Sequence, residues 1–578
     1  MRKARRRGRA AGAVLLALTI STAAVVYAGA AMAAGLNGGA DSPALAGIDA
    51  AGASSRATAT VKATAKSTKT PKPSPTATPS RTPKPTHTPT PTPTPTPSPT
   101  PQTTPTPTPT PGPTLPPGSS IAYYDPTPGD TMDSTYTLTA DGAPVAVTRS
   151  YDVAYARFAF SGSVSLVVTA PQPITAWTIS PLAFAIPATV NGATLSFILD
   201  NPANVIVTVN GLEKLFVFAD PQETSPPLAA GPGVVNLGAY ATNSTGTVLQ
   251  TAQIQAAIDA TAALGGGSGG TLYVPDGAYL TGTLHLRSNV AMYLQSGALL
   301  QGSPHSSDYQ SARLIATDGA SNVRLFGRGV LDGHGTTLRA SDKVRIIEPV
   351  GGQNIEVDDV LLRDSASWTV HIAGVTHATV TNVKIVNNQA LRANDGIDPD
   401  GSTSVLVNGA FVHTFDDCFA VKTSGFAGSL ATDQVLIENS LCWTQKSALK
   451  IGTETGSNVS NVTFSGNNVV HADRALSVYM VDGGNLSNLS YVNDTSETVG
   501  GNVKQQLIDF EVSSGQASNV TVTNYTAYSD SVNSSLTQAS AGHTLPVAFN
   551  HLVIAGNTCV DTTCARIVNN GATLVFTP

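Results

Sequence analysis

The chain is short of the features that mark most function classes, and each shortage excludes something. Cysteine occurs four times in 578 residues, with no CxxC pair and no Cys/His spacing, so a zinc site is excluded. Helical periodicity is nearly missing. Only Thr251 to Leu264 carries it, with Ile254, Ala257, Ile258 and Thr261 on one face and Gly265-Gly266-Gly267 to end it. Positive charge is scarce where it would count. Thirteen of the 32 Lys and Arg precede Gly118, against two of the 38 Asp and Glu, which leaves 19 bases and 36 acids beyond it, a net charge of −17. Such a body repels polyanions; this excludes nucleic acid as a partner and does not favour a polyuronic acid. A calcium loop is half present in Asp398 and Asp400, but its closing glutamate is missing. Both read as turn or substrate-edge residues, and neither a metal nor a cofactor is expected.

What the chain does have is a repeat. An apolar, polar, apolar motif, followed after two residues by another apolar or small one, starts at Ile355 (Ile355, Val357, Val360, Leu362) and returns at Ala378, Val405, Val435, Val462, Leu489 and Val520. The steps are 23, 27, 30, 27, 27 and 31 residues, and Val323 stands 32 before the first. Alternation of this kind marks half-buried strands. A period in the twenties to low thirties with no helical pattern between strands marks a solenoid. Asn354, Asn382, Asn408, Asn439, Asn461 and Asn488 crowd the corners, where a left-handed backbone costs asparagine little. An all-β parallel β-helix over residues 230–578 accounts for these features; an antiparallel sandwich does not need so even a spacing. The helix at Thr251 suits the lid that an open solenoid end requires.

The segments before the repeat read differently. Six basic residues between Arg2 and Arg9, the apolar run Ala11 to Ala30 and the small-x-small site Ala31-Met32-Ala33 make residues 1–33 a signal peptide, or an uncleaved anchor. Residues 34–118 cannot build a core. From Lys66 to Pro117 proline alternates with Thr or Ser, so the segment stays extended as a polyproline II stalk. The expected location is secreted or attached to the cell surface, tethered to wall or membrane through the stalk, and a monomer is expected. Residues 119–225 alternate without the coil period. There Val205 to Val209 meets Asn210-Gly211 and Leu215 to Phe218 returns, a hairpin within a small β-sandwich.

The chemistry concentrates in one coil. Asp395, in Asn394-Asp395-Gly396-Ile397-Asp398, stands 22 residues before Asp417, in Phe415-Asp416-Asp417-Cys418. Coiling at this period stacks the acids on neighbouring rungs. Adjacent residues of a strand point to opposite faces, so Asp416 and Asp417 share a groove only where the chain bends or bulges. Three converging carboxylates suit glycosidic cleavage, because like charges and burial keep one of them protonated. Asp332-Gly333, by contrast, reads as an ordinary turn. Cys418 and Cys442 lie 24 residues apart, one coil, and would sit on stacked rungs about 4.8 Å apart, within disulfide range. Cys559 and Cys564 would close a small loop. The four cysteines fit an oxidising compartment.

These motifs resemble glycoside hydrolase family 28, the polygalacturonase family. Ile254 to Asp259, Gly265 to Gly270, Val274-Pro275-Asp276-Gly277, Leu284 to Ser303 and Gly327 to Gly333 are similar to its entry coils. NDGID at Asn394 resembles the family's NTDGID, and Asp416-Asp417-Cys418 its DDC; the likeness covers roughly Val235 to Val522. It implies a right-handed parallel β-helix and metal-free hydrolysis with inversion, with Asp416 as general acid and Asp395 and Asp417 activating water. Two motifs depart from the pattern. Lys446-Ser447-Ala448 stands where the family has Gly-His-Gly, and Ala475-Leu476-Ser477 where it has the Arg-Ile-Lys that grips a uronate. Losing a planar carboxylate clamp shifts the expected substrate toward a neutral or sparsely charged glycan. Lys422 and the β-sandwich are similar to features of glycoside hydrolase family 49, the dextranases and isopullulanases.

Around the acids, Lys422, Lys446, Lys450 and Arg474 are the cations expected at the substrate, where they would rebuild a carboxylate site with different geometry. Trp443, Phe419 and Tyr479 are candidates for sugar stacking, with a packing role the alternative for Trp443. His371, His413 and His471 have no matched partners in the pattern and read as structural or solvated. The expected partner is a polysaccharide. Two alternatives stand beside the hydrolase: a polysaccharide lyase, which would want calcium and a strong base, and a non-catalytic wall-binding adhesin, which would not need the aspartates.

Overall fold

The computed structural model describes residues 120–578; the leader and stalk expected before them lie outside the described residues. Among the described residues no helix is long and apolar enough to cross a membrane.

From Val234 onward the chain winds as a parallel β-helix with three strands to a full coil. The repeat seen in the sequence is its rung-by-rung register. Val323, Ile355, Ala378, Val405, Val435, Val462, Leu489 and Val520 pair one to the next in a single parallel ladder, which continues to Val547. Their side chains point inward and join one continuous apolar core, while the residues between them face water. Each coil thus buries one side of a short strand against the coils above and below. A second face follows from strands such as Phe411–Thr414 and Leu441–Thr444. The third, an 11-stranded sheet running from Leu284–His285 to Ile567–Asn570, carries Ile397–Asp400, Phe419–Thr423, Ser447–Thr455 and Arg474–Met480 in succession.

The asparagines divide between two corners instead of one. Asn354, Asn461 and Asn488 take positive φ just before the first face, where Asn322 and Asn519 do the same. Asn382 and Asn439 take it at the corner before the second face, whereas at Asn408 the left-handed residue is its neighbour Gly409. Amide side chains hydrogen-bond along the first corner, as from Asn488 to Asn461 at 2.9 Å.

Helix Thr251–Ala262 caps the N-terminal coil and buries Ile254, Ala257, Ile258 and Thr261, the face its periodicity marks. Strands between Ser120 and Pro221 form a β-sandwich of a seven-stranded and a five-stranded sheet. In it the Asn210-Gly211 turn joins Ala203–Val209 to Lys214–Pro221 antiparallel, Val207 opposite Leu215. The sandwich packs on the second face of the helix. Tyr155, Phe216 and Phe218 meet Leu361, Phe411, Leu441 and Trp443, and Lys384, fully buried in a helix coil, ends on the carboxylate of the sandwich's Asp220.

Both disulfides form. Cys418–Cys442 does not join two positions stacked in one sheet, as the 24-residue spacing suggested. Cys418 lies in the bend entering the third face and Cys442 on the second-face strand of the next coil, so the bridge crosses a corner with Cα atoms 6.0 Å apart. Cys559–Cys564 closes its short loop.

Candidate active site

The acids come together at the corner between the second and third faces. Val370 pairs with Ile397, Ile397 with Phe419, and Phe419 with Leu449. Two residues earlier on each strand, Trp368, Asp395, Asp417 and Ser447 therefore stack on successive rungs, about 4.8 Å apart. Thr369 N donates to Asp395 O at 2.8 Å and Gly396 N to Asp417 O at 2.8 Å, extending the ladder into the corner. Asp416 and Asp417 lie in the bend between Phe411–Thr414 and Phe419–Thr423, which lets both reach the groove. One oxygen from each of Asp395, Asp416 and Asp417 lies within 4.8 Å of the others.

Local hydrogen bonds impose this bend. Buried Asn394 accepts from Phe415 N at 3.0 Å and Asp416 N at 3.1 Å through its side-chain oxygen, and donates to Asn388 O at 2.9 Å. Asn387 in turn donates to Asn394 O at 3.0 Å. Gly396 has no room for a side chain: a Cβ there would stand 2.4 Å from Cys418 O and 2.5 Å from Val412 Cγ1. The glycine of the Asp395-Gly396 pair is thus a packing requirement between rungs.

The three carboxyls differ in their surroundings, and so in charge. Burial alone would raise Asp417, but the charges of Lys450, Arg474 and Lys422 outweigh it and bring its pKa down to about 2. Lys450 Nζ donates to Asp417 Oδ2 at 2.6 Å and Ser447 N to Oδ1 at 2.9 Å. Asp395 is pushed up to about 7, first by burial and then by the charges of Asp416 and Asp417, with Lys422 opposing at 3.1 Å. Asp416 is raised, by burial and then by Asp417 beside it, and is the most open of the three to solvent. The corner therefore presents one firmly ionised carboxylate, one that titrates near neutrality, and one at the groove surface whose pKa is raised by burial and by Asp417. Asp398 is fully buried, its side chain lacks a hydrogen-bond partner, and burial more than any other cause pushes its pKa well above the usual carboxylate range.

Of the other residues the sequence singles out, Lys422 and Lys450 reach the centre, each bonded to an acid. Lys422 also approaches Glu454 at 3.6 Å and Asp398 at 4.0 Å. Arg474, in register with Ser447, donates to Tyr479 Oη at 3.3 Å and lies 3.6 Å from Asp473. The Tyr479 hydroxyl donates to the Asp509 carboxylate, and its ring centroid is 5.6 Å from Lys450 Nζ. Lys446 is half-buried on the rim, 5.9 Å from the Phe415 ring.

Three expectations are corrected. Trp443 does not face the groove: it lies under the sandwich, with Lys214 Nζ 4.4 Å from its ring centroid and His471 stacked at 4.7 Å. Phe419 points into the apolar core. His371 has partners after all, bonding Glu348 at 2.6 Å and Asp400 at 2.9 Å while fully buried. His413 packs between Phe216 and Trp443, where burial lowers its pKa to about 3. The sequence reading missed Trp368 and Glu454 near the acids, and Arg345 and Phe426 next to Trp368 and His371. For Trp368 a signal existed: it stands 27 residues before Asp395, the length of the coil from Ala378 to Val405.

Comparisons with known proteins bear on the family and the fold. The family model for glycosyl hydrolases family 28 matches residues 268–563, just over half of the chain. A probable polygalacturonase of Vitis vinifera is 26% identical over 250 residues, covering 38% of this chain and 51% of the relative. An exo-poly-alpha-D-galacturonosidase of Dickeya chrysanthemi is 25% identical over 340 residues, covering 46% and 55%. The chain spans about half the length of the curated relatives it matches. Among solved structures, Dex49A from Penicillium minioluteum superposes with a TM-score of 0.54 at 14% identity, covering 78% of this chain and 96% of that one, a likeness of fold.

Proposed function

This chain belongs to glycosyl hydrolases family 28, and from that premise we propose that it hydrolyses a polysaccharide with Asp416 as general acid and Asp395 and Asp417 holding the attacking water. The observation that carries the reading is the graded trio: three carboxyl oxygens within 4.8 Å, with Asp417 lowered and Asp416 raised. A raised carboxyl open to the groove can protonate the leaving glycosidic oxygen. An ionised Asp417, fixed by Lys450 and Ser447 N, accepts a hydrogen bond from water, and Asp395 beside it takes up the proton as the water attacks the anomeric carbon. Separation alone argues for the other stereochemistry, since carboxyls about 5–5.5 Å apart belong to retaining enzymes and inverting pairs stand about 6.5–9.5 Å apart. Two features support inversion here: the family, and a third carboxylate that lets two acids cradle one water. Proton NMR of the first product should show the anomer opposite to the substrate; retention would make Asp395 or Asp417 a nucleophile.

The substrate in this reading is a neutral or sparsely charged glycan. Ala475-Leu476-Ser477 offers no cation, and the lysines that would replace a clamp are committed elsewhere. Lys450 and Lys422 neutralise Asp417 and Asp395, while Arg474 faces Asp473 and Tyr479. Lys446 on the rim is the cation left for substrate. The relatives' names point instead to galacturonans, so the deciding experiment compares polygalacturonate, rhamnogalacturonan, xylogalacturonan, dextran, pullulan and an α-1,3-glucan by reducing-end release. Release from a glucan and little from polygalacturonate is expected; vigorous cleavage of polygalacturonate would overturn the substrate reading. The basic leader and proline-rich stalk support export and a tether to wall or membrane, which fits an enzyme working on an insoluble polymer.

A further inference from the structure

Resting on the hydrolase reading above, we propose that Trp368 and Phe426 form a sugar-stacking subsite one rung N-terminal to Asp395, shaped for an uncharged ring. Trp368 is part-exposed at the coil position that Asp395 and Asp417 occupy on the next two rungs. Its ring centroid lies 3.8 Å from Lys422 Nζ, and that same nitrogen bonds Asp395 at 3.1 Å. A sugar against Trp368 is therefore separated from the reacting centre by a single side chain. Phe426, 49% exposed, extends from the loop after strand Phe419–Thr423, which Ser424 ties down by donating from its backbone to Asp400 at 2.7 Å.

The two rings are held in a frame. The Arg345 guanidinium carbon lies 5.0 Å from the Trp368 centroid and 5.2 Å from that of Phe426. His371 meets both rings edge-on, at 4.7 and 5.1 Å, and is itself fixed between Glu348 and Asp400. Exposed aromatic area beside a catalytic corner, braced from behind, offers a rigid apolar surface to the C–H face of a pyranose. The charges around it select against an acidic sugar. Arg345 already faces Glu348 at 3.0 Å and Lys422 faces Asp395 at 3.1 Å, so each cation beside the rings is engaged by a carboxylate of the protein.

The test uses the full chain carrying Asp416→Asn, so that binding is read without turnover, titrated calorimetrically with hexamers of α-1,6-glucose, α-1,3-glucose and α-1,4-galacturonate. A glucose hexamer should bind, and adding Phe426→Ala or Trp368→Ala should weaken it about tenfold. Phe426 is exposed, so its removal leaves folding intact even if Trp368→Ala does not fold. Unchanged affinity in Phe426→Ala, failure of both glucose hexamers to bind, or tighter binding of the galacturonate hexamer that depends on these rings would overturn the subsite. If that happens while the unmodified protein still hydrolyses a neutral polymer, the subsite alone falls. Absence of hydrolysis on every polymer would instead sink the hydrolase reading.

Discussion

At the scale of single residues, the chemistry turns on how two neighbours in the chain come to differ in acidity, Asp417 lowered and Asp416 raised. Asp417 is kept ionised by Lys450, so Lys450→Met should raise its pKa from about 2. The acid limb of kcat/KM should then move to higher pH, by about one unit for each 1.4 kcal/mol of lost interaction. An unmoved limb would remove Asp417 from the rate profile. The sign for stability is the same. A carboxyl whose folded pKa lies below its unfolded value stabilises above about pH 4 and loses that contribution as pH falls toward 2, so acid unfolding of Lys450→Met should begin at higher pH. Asp416 is raised instead, and activity should decline on the alkaline side as it loses the proton it donates, whereas Asp395, at about 7, must be ionised to take up the proton of the water. The aspartates were legible because their motifs stand one coil apart. Trp443 was misplaced because nothing in its own neighbourhood reveals that a separate body covers that face.

At the scale of the element, the corner before each strand sets the geometry. Gly396 is the sharpest case, since any Cβ there meets Cys418 O and Val412. Gly396→Ala should cost about 1–3 kcal/mol and lower kcat more than it raises KM, because Asp395 moves with the backbone. Thermal melting and steady-state kinetics on one preparation separate the two effects. Full activity with an unchanged melting temperature would show that the corner yields. The strand ladder was legible residue by residue, because inward apolar positions must match from coil to coil and leave a countable period. The corners were only half legible: asparagine marks a left-handed residue, but glycine, serine, glutamine and histidine take the same φ at Gly409, Ser404, Gln434 and His377. The third face was the least legible. Its strands carry charged and aromatic groups on the groove side, and these break the alternation that reveals the first face.

At the scale of the molecule, sandwich and β-helix are joined by buried charge as well as apolar area. Lys384 belongs to a helix coil and its counter-ion Asp220 to the sandwich, both almost fully buried, with Arg328 3.4 Å from the same carboxylate. Asp220→Ala strands Lys384 in the interface and should cost about 3–5 kcal/mol, whereas Asp220→Leu with Lys384→Met should recover most of it. Denaturant unfolding of the single and double variants checks this, and equal losses in both would show that the charge pair is incidental. The presence of a sandwich was legible in its hairpin; its seat on the second face was not, because docking depends on surfaces distant in sequence. That seat leaves the third face and its acids to the substrate. The most direct test of the whole account is therefore turnover by Asp416→Asn on the polymer that the unmodified protein cleaves best. The account predicts an unchanged melting temperature and a fall in kcat of about 10²–10⁴-fold, since an amide cannot protonate the leaving oxygen. Turnover near that of the unmodified protein would contradict it.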